Sequence, residues 1–238
     1  CEKIVFNSLW SKKRFLEKIP SGSISGEKLT VIFQSASKNK VNLNRKKKWI
    51  TFVGKLNRSK GHDIFGSSVL KILKKYKDWQ AIVIGDEQRD KITFNHDRLK
   101  NLGFLEHKKV INIFKKSSIA VACSRWNEPF GRTSLEGSAS ACAVIISNRG
   151  GLPETVTNAI ILKKLNQKEL TKKIELLIKK PKLRLEYQKL AYKNFYLTHK
   201  NSSKEIDKYR EEILLSARKV NFFQKTEKLR IVHVTNFN

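Results

Sequence analysis

At 238 residues with 39% apolar side chains, the chain is long enough to bury the core of one large or two modest domains, which excludes a disordered tail. Fifty lysines and arginines against 21 acids give a formal charge of +29, and such a field attracts phosphates, nucleic acid or an anionic membrane surface. The basic residues are spread along the chain without zinc-finger spacing or an RNA-binding aromatic pattern, so nucleic acid is not the expected partner.

A Lys-, Ile- and Asn-rich composition also produces this charge as an ordinary solvated surface, and the sign alone does not choose between the two. Cys1, Cys123 and Cys142 are odd in number and lack metal-ligand spacing, which fits a reducing cytoplasm. No apolar run approaches the ~18 residues of a membrane span, and no signal peptide opens the chain. The expectation is a cytoplasmic segment, soluble or peripheral on the inner face of a membrane. A chain that opens on Cys1 and contains no Met is expected to be an excised piece of a longer one.

In chain order, residues 3–6 read as a strand and 8–17 as a helix, followed by the turn-rich stretch 20–26, a short apolar run at 31–33 and a basic linker at 38–48. Short β-branched runs then alternate with longer amphipathic stretches, the pattern of βαβ units around a parallel sheet with helices on both faces. The expected strands are 49–54, 80–85, 98–104, 119–123 and 143–147, with 158–162 as a short edge. Helices are expected at 62–75, 107–116 and 131–140. Ile64, Phe65, Val69, Ile72 and Leu73 mark the buried face of the first of these.

After Leu165 the pattern is helical only, with one helix ending near Lys180, Pro181 opening the next, and helix continuing to about Ala217. Residues 229–234 form a fresh buried-strand pattern with nothing expected to pair it. The chain is thus divided into residues 1–40 as the tail of a preceding domain with its linker, 41–217 as an α/β domain with C-terminal helices, and 218–238 as a linker and the first strand of a further domain.

Three segments carry candidate chemistry. Val53-Gly54-Lys55-Leu56 with Lys60-Gly61 is a strand end, a glycine and two cations leading into a helix, a loop that suits phosphate and equally suits a plain turn. The segment 126–136 follows the strand ending at Cys123, at the carboxyl edge where ligands of open α/β sheets bind. Amides from Gly131 to Thr133 would face a diphosphate there, with Glu128 in the loop before the helix and Glu136 a turn inside it, so that one pocket holds both carboxylates. Spacing alone does not separate the two acids from solvent-facing acids at a helix start. The third, Asn148-Arg-Gly-Gly-Leu-Pro-Glu154, offers glycines for close backbone approach and Glu154 to accept a hydroxyl, or forms a tight turn.

These blocks, with Leu102-Gly-Phe-Leu105 between the first and second, occur in an order that resembles glycosyltransferase family 4. The likeness runs from about Trp49 to Leu215. It implies a GT-B fold of two Rossmann-like domains facing a cleft, of which this chain would supply the C-terminal, donor-binding one. It implies further that Lys60 and Lys55 hold the diphosphate, Lys55 standing where the family usually has arginine and so lacking its bidentate fork. Glu128 would contact the donor hexose and Glu136 the ribose, with the amides of Phe130, Gly131, Arg132 and Thr133 at the sugar and phosphates. Gly54 would allow the close approach and Leu105 would meet the base through its backbone. Arg132, apolar in many relatives, reaches an anion or stays solvated.

The resemblance implies retention of configuration, a nucleoside-diphosphate sugar as donor, a glycan or lipid-linked acceptor, and a place in surface-polysaccharide or lipopolysaccharide synthesis. No cofactor or metal is expected, and the sequence offers neither an Asp-x-Asp triplet nor histidines at ligand spacing. Without its partner domain the piece should bind donor and turn over poorly. The competing readings are a sugar-nucleotide epimerase of the same fold, a phosphorylase, for which no pyridoxal-phosphate lysine signature is present, and a binding module that has lost activity. The retained Glu128, Glu136 and Lys60 weigh against the last.

Overall fold

A computed structural model describes residues 3–89, 92–220 and 232–233. The elements run β1 (Ile4–Phe6), α1 (Leu9–Leu16), β2 (Leu29–Val31), β3 (Lys47–Val53), α2 (His62–Lys75), β4 (Gln80–Ile84), β5 (Leu99–Asn101), α3 (His107–Lys116) and β6 (Ser117–Ala122). They continue with α4 (Arg132–Ala139), β7 (Ala143–Ser147), β8 (Ala159–Leu162), α5 (Gln167–Lys179), α6 (Pro181–Lys193), α7 (His199–Val220) and β9 (Val232–His233).

Six strands form one parallel sheet in the order β5-β4-β3-β6-β7-β8. Its central strands are largely apolar because both faces are covered, while the edge strand β5, Leu99-Lys-Asn101, is mostly exposed. Along β4, Ala81 and Val83 enter one core with Phe65, Val69 and Ile72 of α2 and Leu170 and Ile174 of α5, while Ile82 and Ile84 enter a second core with Val110 and Phe114 of α3. This alternation is the period of two expected of a strand buried on both sides. A third, smaller core joins the linker to the main domain, with Ala36 and Phe33 packed against Phe130, Leu135 and Ala139.

Lys46, in the segment read as a basic linker, is not a solvated charge. Its Nζ donates to the carbonyls of Phe114 at 2.9 Å and Ser140 at 2.6 Å, closing the C-terminal ends of α3 and α4, and burial lowers its pKa. His62, the first residue of α2, is buried with its ring centroid 5.5 Å from those of both Phe52 and Phe94, and burial holds its pKa below the ordinary histidine value.

A second, three-stranded sheet has the order β2-β1-β9. Here the strand expected at the far end finds a partner, contrary to the expectation that it would have none: Val232 and His233 pair in parallel with Ile4 and Val5. The rest of residues 229–234 lies outside the described residues. Two other boundaries differ from expectation. The strand expected at 98–104 is only three residues long, because Gly103 turns the chain with φ of +63°. The helix expected from Gly131 starts one residue later, with Gly131 as its cap.

Candidate functional site

The loops at the carboxyl edge of the six-stranded sheet are drawn together by backbone contacts. Gly54 donates to the Ile84 carbonyl at 3.0 Å, Gly85 donates to the Gly103 carbonyl at 2.8 Å, and the Thr133 hydroxyl donates to the Val53 carbonyl at 3.1 Å. The ends of β3 and β4 and the start of α4 are thereby fixed to one another. Lys60 is presented from the turn before α2, where its N–H donates to Asn57 Oδ1 at 3.0 Å. Gly61 then opens α2 with φ of +75°.

Lys60 Nζ lies 2.5 Å from Glu128 Oε1, joining side chains 68 residues apart. The pair is partly shielded, with 34% and 15% of the side chains exposed, so solvent screens it less than a fully exposed pair and a ligand can still reach it. Beside it, α4 begins at Gly131 with no side-chain cap and no acid in its first turn. Unpaired amides at a helix start attract an anion. Lys60, Glu128, Gly54, Asn7 and residues 129–133 line a cleft of about 380 Å³.

Of the residues expected at one site, the structure brings Gly54, Lys60, Glu128, Phe130, Gly131, Arg132 and Thr133 to this cleft. Glu136 is not in it, which corrects the expectation of a single pocket for both carboxylates. Its side chain, 6% exposed, opens instead on a neighbouring cavity of about 280 Å³ lined also by His107, Lys108 and Lys115. Arg132 lines both spaces. Glu136 Oε1 receives Arg132 Nη2 at 2.9 Å and sits 3.0 Å from His107 Nε2. Both contacts fall on one oxygen and leave Oε2 without a hydrogen-bond partner among the described residues.

Lys55 and Leu105 line neither space. Lys55 is exposed and its charge is felt by Glu87. Glu154, expected to accept a ligand hydroxyl, already accepts backbone amides of Leu9 and Trp10. His107 has no ligand spacing with another histidine, so the sequence does not mark it; its contact with Glu136 arises from α3 starting beside α4. Among the described residues, no three His, Cys, Asp or Glu side chains gather as a metal site, and no helix is long and apolar enough to cross a membrane.

A parallel sheet covered on both faces, with its cleft outside the carboxyl ends of the strands, makes this a Rossmann-like α/β protein. Residues 33–194 match the profile of the glycosyl transferases group 1, and the chain belongs to that family. Among solved structures it resembles a glycosyltransferase from Rickettsia africae, with a TM-score of 0.74 and 21% identity, over 90% of this chain and 64% of that one. It also resembles Anabaena HepE in complex with UDP, with a TM-score of 0.71 and 18% identity, over 89% and 64%.

Curated relatives include spore coat protein SA of Bacillus subtilis, 28% identical in an alignment that covers 46% of this chain and 33% of the relative. The lipopolysaccharide core biosynthesis mannosyltransferase LpsB of Rhizobium meliloti is 29% identical in an alignment that covers 52% of this chain and 38% of the relative. The chain thus matches about a third of the length of these proteins.

Proposed function

We propose that the chain is the donor-binding half of a retaining, family 4 hexosyltransferase that moves a sugar from a nucleoside-diphosphate donor to a glycan or lipid-linked acceptor. Residues 41–217 form the donor domain in this reading, and residues 1–40 are the end of the acceptor domain and its linker. The observation that carries it is the Lys60–Glu128 pair, 2.5 Å apart beside the uncapped start of α4.

A diphosphate entering the cleft meets the Lys60 ammonium and the free amides of Arg132 and Thr133. These fixed positive groups stabilise the charge that grows on the departing nucleoside diphosphate, and they need no reorganisation as it forms. Lys60 turns to the phosphate as it enters, and Glu128, still in the cleft, accepts hydrogen bonds from sugar hydroxyls. The donor then spans Arg132, with its ribose at Glu136 Oε2 in the neighbouring cavity. A place in lipopolysaccharide or surface-polysaccharide synthesis at the cytoplasmic face of a membrane fits the named function of LpsB and the net charge of +29.

The test is Glu128→Ala. Binding of a nucleotide sugar should weaken about tenfold or more, for a lost charge-assisted hydrogen bond, while affinity for the matching nucleoside diphosphate holds within about threefold, because Lys60 then loses only its resting partner. Calorimetric titration with both ligands reads the difference. Equal losses would make Glu128 a structural residue and remove the sugar contact.

A further inference from the structure

Glu154 lies outside the cleft, on the turn after β7, and both of its oxygens serve another part of the chain. Oε2 accepts the Leu9 N–H at 2.6 Å and Oε1 the Trp10 N–H at 2.9 Å, across 145 and 144 residues of sequence. The next amide of α1, that of Ser11, donates to Ser8 Oγ at 2.9 Å. The first three donors of the helix are therefore satisfied. The first turn of α1 has no acid of its own, and Glu154 supplies the negative charge that a helix N-terminus favours.

The same turn grips the loop that carries Glu128. Gly151 donates its N–H to the Glu128 carbonyl at 2.7 Å. A Cβ at Gly150 would stand 2.2 Å from that carbonyl oxygen, and one at Gly151 would stand 2.5 Å from the Pro129 oxygen and 3.0 Å from Ser8 Cβ. Gly151 is thus pressed between the Glu128 loop and the cap of α1. On the far side, the Ser11 hydroxyl lies 3.3 Å from the Pro129 oxygen and 3.0 Å from Asn7 Oδ1. Asn7 lines the cleft together with Glu128.

We propose that Glu154 is a positioning residue for sugar transfer: by clamping the start of α1 against the Gly150–Gly151 turn, it fixes Asn7 relative to Glu128 and so sets the shape of the sugar end of the cleft. The proposal rests on the reading of Glu128 as a sugar contact. When the carboxylate is lost, α1 loosens, and the Glu128 loop loosens with it. The backbone of Lys60 is held by its N–H bond to Asn57 Oδ1 and the start of α4 by the Thr133 bond to the Val53 carbonyl, so the phosphate end keeps its affinity.

Glutamine at position 154 keeps the size but can accept with only one oxygen. In Glu154→Gln, hydrogen exchange without ligand should speed up about tenfold or more in the peptide holding the Leu9 and Trp10 amides, and several-fold in residues 125–131, with α2 unchanged. Leu9→Pro approaches the same contact from the other side, since proline is tolerated at the first helical position while it deletes the Leu9 donor. It should loosen residues 125–131 in the same way, so the test stands even if one variant fails to fold. Faster exchange confined to α1, or a rise that includes α2, would overturn the coupling.

In the ligand arm, Glu154→Gln should lose about tenfold in nucleotide-sugar affinity and keep nucleoside diphosphate affinity within about twofold. An unchanged sugar gain would overturn the positioning role. A wild-type chain with no sugar gain would overturn the donor reading and this role with it, while the exchange data would report separately whether the clamp exists.

Discussion

Lys60→Ala should lower the affinity of the chain for a nucleoside diphosphate by about 10- to 100-fold, the worth of a charge-assisted hydrogen bond to phosphate, while binding of the bare nucleoside stays within about threefold. The ammonium is the cation the structure places against Glu128 beside the start of α4. Its loss also leaves the Glu128 carboxylate, only 15% exposed, without its ion-pair partner and adds a negative charge to the space the diphosphate must enter. Lys60→Arg should recover part of the affinity, since the charge is kept while the reach from the turn differs. Titration with the nucleoside and its diphosphate, variant by variant, separates these outcomes. Equal weakening of both ligands would take Lys60 out of the phosphate site.

Gly85→Ala should be the more damaging change to the fold, costing at least about 3 kcal/mol in urea unfolding. Gly85 has φ of +133°, and a Cβ there would come within 1.9 Å of the Gly54 carbonyl oxygen. That neighbour is backbone, held in turn by the Gly54 bond to the Ile84 carbonyl, so it has no easy direction of retreat. The loops that frame the cleft must therefore part or the sheet edge must shift. Gly103→Ala serves as the control: with φ of +63° and open space around it, it should cost only about 1 kcal/mol, from the backbone conformation alone. Similar midpoint losses for the two would show that the collision at Gly54 is relieved cheaply.

The main sheet was legible because its strands are buried on both faces. Runs such as Ala81-Ile-Val-Ile84 and Ala143-Val-Ile-Ile146 leave no room for polar residues, and α2 shows its buried face at helical spacing. The site was legible in its parts and not in its joints. The glycine-rich turns and the acids before and within α4 stand out locally, but the Lys60–Glu128 contact depends on β3 and β6 being neighbours in the sheet. The i,i+4 spacing of Arg132 and Glu136 on α4 is that of a helical ion pair, but nothing in it says that His107 would meet the same oxygen or that the carboxylate would turn toward a second cavity.

Lys46 and Glu154 failed for the same reason in reverse. Lys46 reads as one charge of a basic linker and Glu154 as an acceptor for a ligand hydroxyl or part of a tight turn, and each is consumed by helix-end groups from distant segments: two terminal carbonyls for Lys46 and two first-turn amides for Glu154. Helix ends carry unsatisfied groups that any nearby charge can take. Which charge is near is decided by the folded chain.

In the proposed function the Lys60–Glu128 pair and the start of α4 receive the donor. A crystal of the chain soaked with a panel of nucleotide sugars tests it most directly. Diphosphate oxygens are expected within hydrogen-bond distance of Lys60 Nζ and of the Arg132 and Thr133 amides, with the Glu128 carboxylate on sugar hydroxyls. A nucleotide sugar bound elsewhere, with Lys60 still paired to Glu128 at 2.5 Å, would contradict it.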